Sequence, residues 1–139
     1  AHIKVIDGTK LGQVLPNGQI ADSALLGSFF AFDLRFTGGV SLAVGDINRD
    51  GRSEIIVGAG PGAGPHVKII DGTKLGQVLP NGQIADSALL ASFFAFDPRF
   101  PHGVSVAFSK NVFRRDVIVG AGPGAGPHVK VIDGTKLGR

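Results

Sequence analysis

Hydrophobic and polar positions alternate in this chain over spans too short for helices. Residues 40–44 set bulky Val40, Leu42 and Val44 against small Ser41 and Ala43. One face of that predicted strand packs broadly and the other admits a close neighbour. Residues 55–58 form a continuous apolar run suited to burial on both faces. Residues 66–70 and 89–96, the latter carrying Phe93, Phe94 and Phe96, complete four predicted strands. The glycine-rich segment 58–65 holds Pro61 and Pro65, which cannot donate to a ladder, so it breaks the second strand from the third. A longer segment, 73–87, contains the turn sequence Pro80-Asn81-Gly82 and a candidate extra strand at 77–79.

Shifting the chain by 64 places lays residues 3–32 on their counterparts with three differences, and a third copy of the His-Val-Lys unit begins at His128. A period of this length with strand content implies blades or coils. Four antiparallel strands per period describe a β-propeller blade, so the predicted fold is all-β. The expected division is a partial blade over 1–36 (third and fourth strands), a complete blade over 37–100, and a partial blade over 101–139 (first to third strands). That gives nine strands, about two blades. Two blades cannot close a ring, so several chains are expected to assemble, three of them making six blades, or the chain is cut from a longer array. It opens at Ala1 partway through a repeat, which is expected of a fragment or processed product.

Composition adds little to this picture. The 139 residues include 22 Gly, 8 Pro and 10 Phe but no Cys, Met, Trp or Tyr, as expected of a short motif copied several times. Without cysteine there is no disulfide, thiol nucleophile or thiolate metal site. No apolar run approaches the ~20 residues of a membrane span. The net charge of +3 is spread, with Lys4, Lys68 and Lys130 recurring singly and only Lys110, Arg114 and Arg115 clustered. Solvated strand edges are the expected use of these lysines. No aromatic stacking platform accompanies them, which argues against nucleic acid.

The candidate chemistry lies in residues 46–54, Asp-Ile-Asn-Arg-Asp-Gly-Arg-Ser-Glu. Asp46, Asn48, Asp50 and Glu54 stand at positions one, three, five and nine, with Gly51 at six where a tight loop needs an unusual backbone angle. With the carbonyl of Arg52 and a water, these would supply the six to eight oxygens that calcium takes. Strand-like flanks separate the loop from an EF-hand, which needs helices and an acid three places later. Asn, Asp and Gly also favour plain polar turns. Against that reading, a turn does not need three carboxylates in nine residues.

Residues 39–51 with 54–60 resemble the FG-GAP repeat of integrin α-subunit propellers, and are still more similar to FG-GAP or VCBS-type repeats of large secreted bacterial proteins. The resemblance implies that the loop between the first two strands of a blade binds calcium through Asp46, Asn48, Asp50, the Arg52 carbonyl and Glu54. It further implies an extracellular or cell-surface setting. The next copy departs from the pattern. It is two residues shorter, has Lys110 where Asp46 stood, and keeps only Asp116 opposite Glu54, so one calcium per chain is expected.

Other motifs read as structural. Segment 58–64 lacks the Gly-x-Gly-x-x-Gly spacing and a following helix, which argues against a nucleotide site. His2, His66 and His128 recur once per unit, and each is expected to bond a loop carbonyl. Asp7, Asp71, Asp133, Asp33 and Asp97 are read as turn caps. Phe29, Phe30 and Phe32 with their copies are read as packing between blades. No catalytic set emerges. The function expected is a non-catalytic, calcium-stabilised scaffold or adhesion module whose partners are copies of itself and a protein or glycan ligand. Carbohydrate binding, or part of a polysaccharide-processing enzyme, stand as alternatives.

Overall fold

The computed structural model describes residues 1–137. It contains nine strands in three antiparallel sheets and, besides them, only four single turns of 3-10 helix. Strands β1 (His2–Ile6) and β2 (Leu25–Phe30) form the first sheet. The second is β3 (Val40–Gly45), β4 (Glu54–Ala59), β5 (His66–Ile70) and β6 (Leu89–Phe94), paired in chain order. The third is β7 (Val104–Lys110), β8 (Arg115–Ala121) and β9 (Val129–Asp133). Gly138 and Arg139, the last residues of the expected 101–139 unit, lie outside the described residues.

Register repeats with the sequence. His2 faces Phe30 in the first sheet and His66 faces Phe94 in the second, each ladder slipping once near its far end. Leu42 faces Val57 in the second sheet and Val106 faces Val119 in the third. The fourth strand of the unit ends at Phe94 rather than at residue 96. There the Ala95 N–H still donates in register to the Pro65 carbonyl at 2.9 Å, but Pro65 has no N–H to carry the ladder on, and the chain turns into the Asp97 cap. Residues 77–79 make no strand. Val78 and Ile84 form a single antiparallel bridge across the Pro80-Asn81-Gly82 turn. That turn reaches back to the first sheet, where Phe30 N–H donates to the Gly82 carbonyl at 2.9 Å and Ile84 N–H to the Phe30 carbonyl at 2.8 Å.

Two apolar clusters lie between the sheets. Ile3, Phe29, Ala31 and Phe32 of the first sheet and its following loop pack on Ile55, Val57 and Ile70 of the second. Ile56, Val67 and Ile69, on the opposite face of the second sheet, pack on Val104, Val117 and Val119 of the third. Strand β4 feeds both clusters and is buried at all six positions, which is why its sequence is continuously apolar beyond Glu54 rather than alternating. Small residues set the spacing. A Cβ on Gly58 would meet the Val104 and Val106 methyls at 3.0 Å, and Ser41 Oγ donates across the junction to the Val104 carbonyl at 3.2 Å.

The lysines divide against expectation. Lys4 is exposed, but Lys68 is only 7% exposed and reaches Phe32 of the preceding unit. Its ammonium lies 4.9 Å from the Phe32 ring centroid and donates to the Ala31 carbonyl at 2.8 Å. Lys130 repeats the stacking on Phe96 at 5.0 Å. The phenylalanines therefore join one unit to the next, and Lys68 sits at a junction rather than on a solvated edge, whereas Lys130, on the edge strand β9, stays exposed as expected. The histidines also differ from expectation. His2 and His66 bond Ser28 Oγ and Ser92 Oγ at 2.8 Å, not a loop carbonyl, and lie against Phe30 and Phe94. The paired fourth strand brings that hydroxyl to the ring. Lys68→Ala removes a buried charge-assisted bond between units, and is expected to lower the unfolding free energy by about 1–3 kcal/mol. Urea denaturation checks this, and a loss below about 0.3 kcal/mol would mean the contact is idle.

Candidate metal centre

The loop joining β3 to β4 begins at Asp46 and closes at Glu54, and its two ends are brought together because Gly45 pairs with Glu54 in the last ladder position. Its backbone is left-handed at Arg49, φ 63°, and at Gly51, φ 85°. The glycine takes that angle without strain, while for the exposed arginine it is an uncommon conformation. Ile47 turns inward and is buried with Val117 and Val119 of the third sheet, anchoring one side of the loop. The remaining side carries the oxygens.

Asp46, Asp50 and Glu54 each offer a carboxylate oxygen within 4.8 Å of the others, the one group of three or more metal-capable acidic or imidazole side chains among the described residues. The Asp50 N–H is shared by Asp46 Oδ1 at 3.2 Å and Asn48 Oδ1 at 3.3 Å, which puts those two oxygens on one side of the loop. Arg52 N–H donates to Asp50 Oδ1 at 2.8 Å. The part of the Arg52 carbonyl in a cage rests on the resemblance alone.

Glu54 is the informative member. Its side chain is fully buried, and Oε1 accepts from Ile47 N–H at 2.8 Å and from Asn48 N–H at 3.3 Å. Oε2 is buried with no hydrogen-bond partner. Burial, with the charge of Asp50 beside it, pushes the Glu54 carboxyl above its ordinary range, against the N–H groups of Asn48, Ile47 and Gly72 that favour the charge. The Asp46 carboxyl shows the opposite balance. Partial burial pushes it up, but N–H donation from Gly51 and Asp50 and the Arg115 guanidinium hold it below its usual value. A buried carboxylate oxygen without a donor costs free energy unless a cation meets it. Three carboxylates with no histidine or thiolate form the hard, all-oxygen set that suits calcium or magnesium rather than zinc or copper. The residues present therefore fit a divalent cation.

The third sheet closes over the base of this loop in a way that residue spacing does not reveal. A Cβ at Gly45 would fall 2.2 Å from the Phe108 ring, so that glycine is required by a neighbour more than 60 positions away. Arg115 donates to the Asp46 main-chain carbonyl and stands 3.5 Å from Asp46 Oδ2. Glycine opposite an aromatic position and an arginine replacing Ser53 of the preceding unit were the only signals available in the sequence. In the third sheet's own hairpin, Asp116, the counterpart of Glu54, pairs with Arg114 at 2.9 Å. A guanidinium thus occupies the partner's role that a cation would fill one unit earlier. Asn111 Oδ1 accepts from Phe113 N–H and Arg114 N–H at 2.8 Å, so this shorter loop is an Asx-type turn.

Residues 38–79, covering β3, the acidic loop, β4 and β5, match the FG-GAP repeat family. That segment is therefore an FG-GAP-type repeat, and the all-β, antiparallel architecture around it is consistent with blades of the kind found in β-propellers. Comparison with curated proteins gives no match. Comparison with solved structures gives none either.

Glu54→Gln keeps the Oε1 acceptor and removes the charge. It is expected to weaken divalent-cation binding at least about 100-fold while leaving the chelated protein as stable as the parent or more so. Calorimetry and thermal melts in chelator check the two halves. A variant that binds calcium normally would remove Glu54 from the site.

Proposed function

We propose that this chain is a calcium-binding β-propeller repeat module, non-catalytic, serving as a scaffold or adhesion surface of a larger extracellular bacterial protein. The observation that carries the reading is the fully buried Glu54, whose carboxylate brings an oxygen within 4.8 Å of those of Asp46 and Asp50 in a segment matching the FG-GAP repeat. Asp46, Asn48, Asp50 and Glu54, with the Arg52 carbonyl, would hold the ion. Calcium bound there would offset repulsion among the carboxylates and fix the β3–β4 hairpin at one rim of the blade.

Open apolar flanks support assembly. Val129 and Val131 are 58% and 59% exposed, whereas their counterparts Val67 and Ile69 are fully buried beneath β6 and the next blade. Leu42 and Val44 lie bare on the far side, where a complete first blade would stand. Copies of the same chain have the complementary surfaces, and three copies would give a six-bladed ring with β1 and β9 competing for one position. A cleft of about 420 Å³ between Phe96, Phe100, His128 and Lys130 is the place where a sugar would most readily fit. One blade earlier the equivalent Phe32, His66 and Lys68 make the same contacts, but there β6 is present and lays Phe94 against His66. The cleft thus has the features of an uncovered edge rather than of a built sugar site.

Calcium at 100 times its dissociation constant is expected to stabilise the chain by about 2.7 kcal/mol, raising its melting midpoint by roughly 8–12 °C over a chelated sample. Superimposed melting curves in calcium and in excess chelator would overturn the reading. Light scattering is expected to give a mass several times the 14.3 kDa of one chain. A well-folded monomer would remove the ring while leaving the ion.

A further inference from the structure

Arg115 opens β8, and its counterpart one blade earlier is Ser53, so a long cation stands where the repeat otherwise carries a short hydroxyl. The side chain turns back across the junction instead of out to water. One guanidinium nitrogen donates to the Asp46 carbonyl and lies 3.5 Å from Asp46 Oδ2. That same Oδ2 accepts from Gly51 N–H at 3.0 Å, and its residue belongs to the carboxylate trio. The Arg115 Nε is buried without a partner. An arginine keeps its charge at any pH where the protein is folded. A divalent ion entering between Asp46, Asp50 and Glu54 therefore arrives beside a fixed positive charge supplied by the next blade.

The geometry points to Arg115 as a resident cation of the metal loop. It neutralises Asp46 while the loop is empty, ties the second blade to the third, and opposes a divalent cation for the same carboxylate. The inference rests on the calcium reading above and deepens it, because ion affinity in one blade is then set by a residue of its neighbour. The third blade carries the exchange to completion, with Arg114 standing on Asp116 where the shorter loop has lost its other acids. Since Nε is unpartnered, the guanidinium is not fully satisfied where it sits, and yielding Asp46 Oδ2 gives up one contact of two.

Calcium chloride is titrated calorimetrically into the full chain and into Arg115→Gln, whose amide still reaches for the Asp46 carbonyl but brings no charge. The variant is expected to bind about three- to tenfold more tightly, with a lower melting midpoint in chelator. Equal or weaker binding by the variant, with normal binding by the parent, would overturn the role of Arg115 alone. Absence of binding in both would overturn it together with the calcium reading. If the variant does not fold at the assay temperature, the parent still decides the matter by NMR. The Arg115 Nε–H signal is expected to move along the same saturation curve as the Asp50 and Gly51 amides, and a signal that stays fixed while those amides shift would overturn the proposal.

Discussion

Strand β4 has a hydrogen-bonded neighbour on each side and a packed blade on each face, and much of the rest of the structure follows from that double confinement. A four-stranded sheet of this size cannot hide both its apolar faces by itself, so each blade is stable only as far as its neighbours cover it. Ile55 and Val57 look one way and Ile56 the other, which explains why this stretch reads as an unbroken apolar run. The same confinement dictates Gly58, since the Val104 and Val106 methyls approach too closely for a side chain. It also brings Lys68 and Phe32 together, so that a residue type usually left in water becomes a buried fastener between units.

The acidic loop belongs to that junction rather than to its own hairpin. Ile47 plugs the second apolar cluster, Phe108 lies over Gly45, and Arg115 reaches Asp46, so one side of the loop is packed by the third blade while the other gathers carboxylates. A carboxylate buried as Glu54 is buried, with Oε2 outside hydrogen-bond geometry, would destabilise a hairpin that had no cation to offer it. The third blade meets the same difficulty with a covalently attached cation, Arg114 on Asp116. Two neighbouring hairpins thus balance their buried acid differently, and the difference tracks the loss of Asp46, Asn48 and Asp50 equivalents from the shorter loop.

The strands, their order and the turn caps were legible in the sequence because they depend on local signals. Period-two alternation marks residues 40–44, and Asp before Gly-Thr marks the turns in which Asp7, Asp71 and Asp133 accept from Thr9, Thr73 and Thr135. The candidate acids were legible for a similar reason, since ligands drawn from one short loop keep a fixed spacing. What could not be read was whatever depends on a partner far along the chain. Lys68 looks like any strand-edge lysine until Phe32 is placed over it, and the histidine partners are serines 26 positions away that only register brings within reach. Arg115 read as one of three clustered cations, and its turn toward Asp46 follows from how two blades stack, which no local pattern encodes. The fourth strand was overextended because Phe96 continues its aromatic composition, whereas opposite it the ladder stops at Pro65, which has no N–H to donate.

The central claim is that the ion loop is part of the contact between blades. Hydrogen exchange in calcium and in chelator tests it most directly, read amide by amide. Calcium should slow exchange at residues 46–54 and also at β8 around Arg115 and Asp116, on the neighbouring sheet. Slowing confined to the loop, with β8 unchanged, would show a self-contained turn and contradict the account.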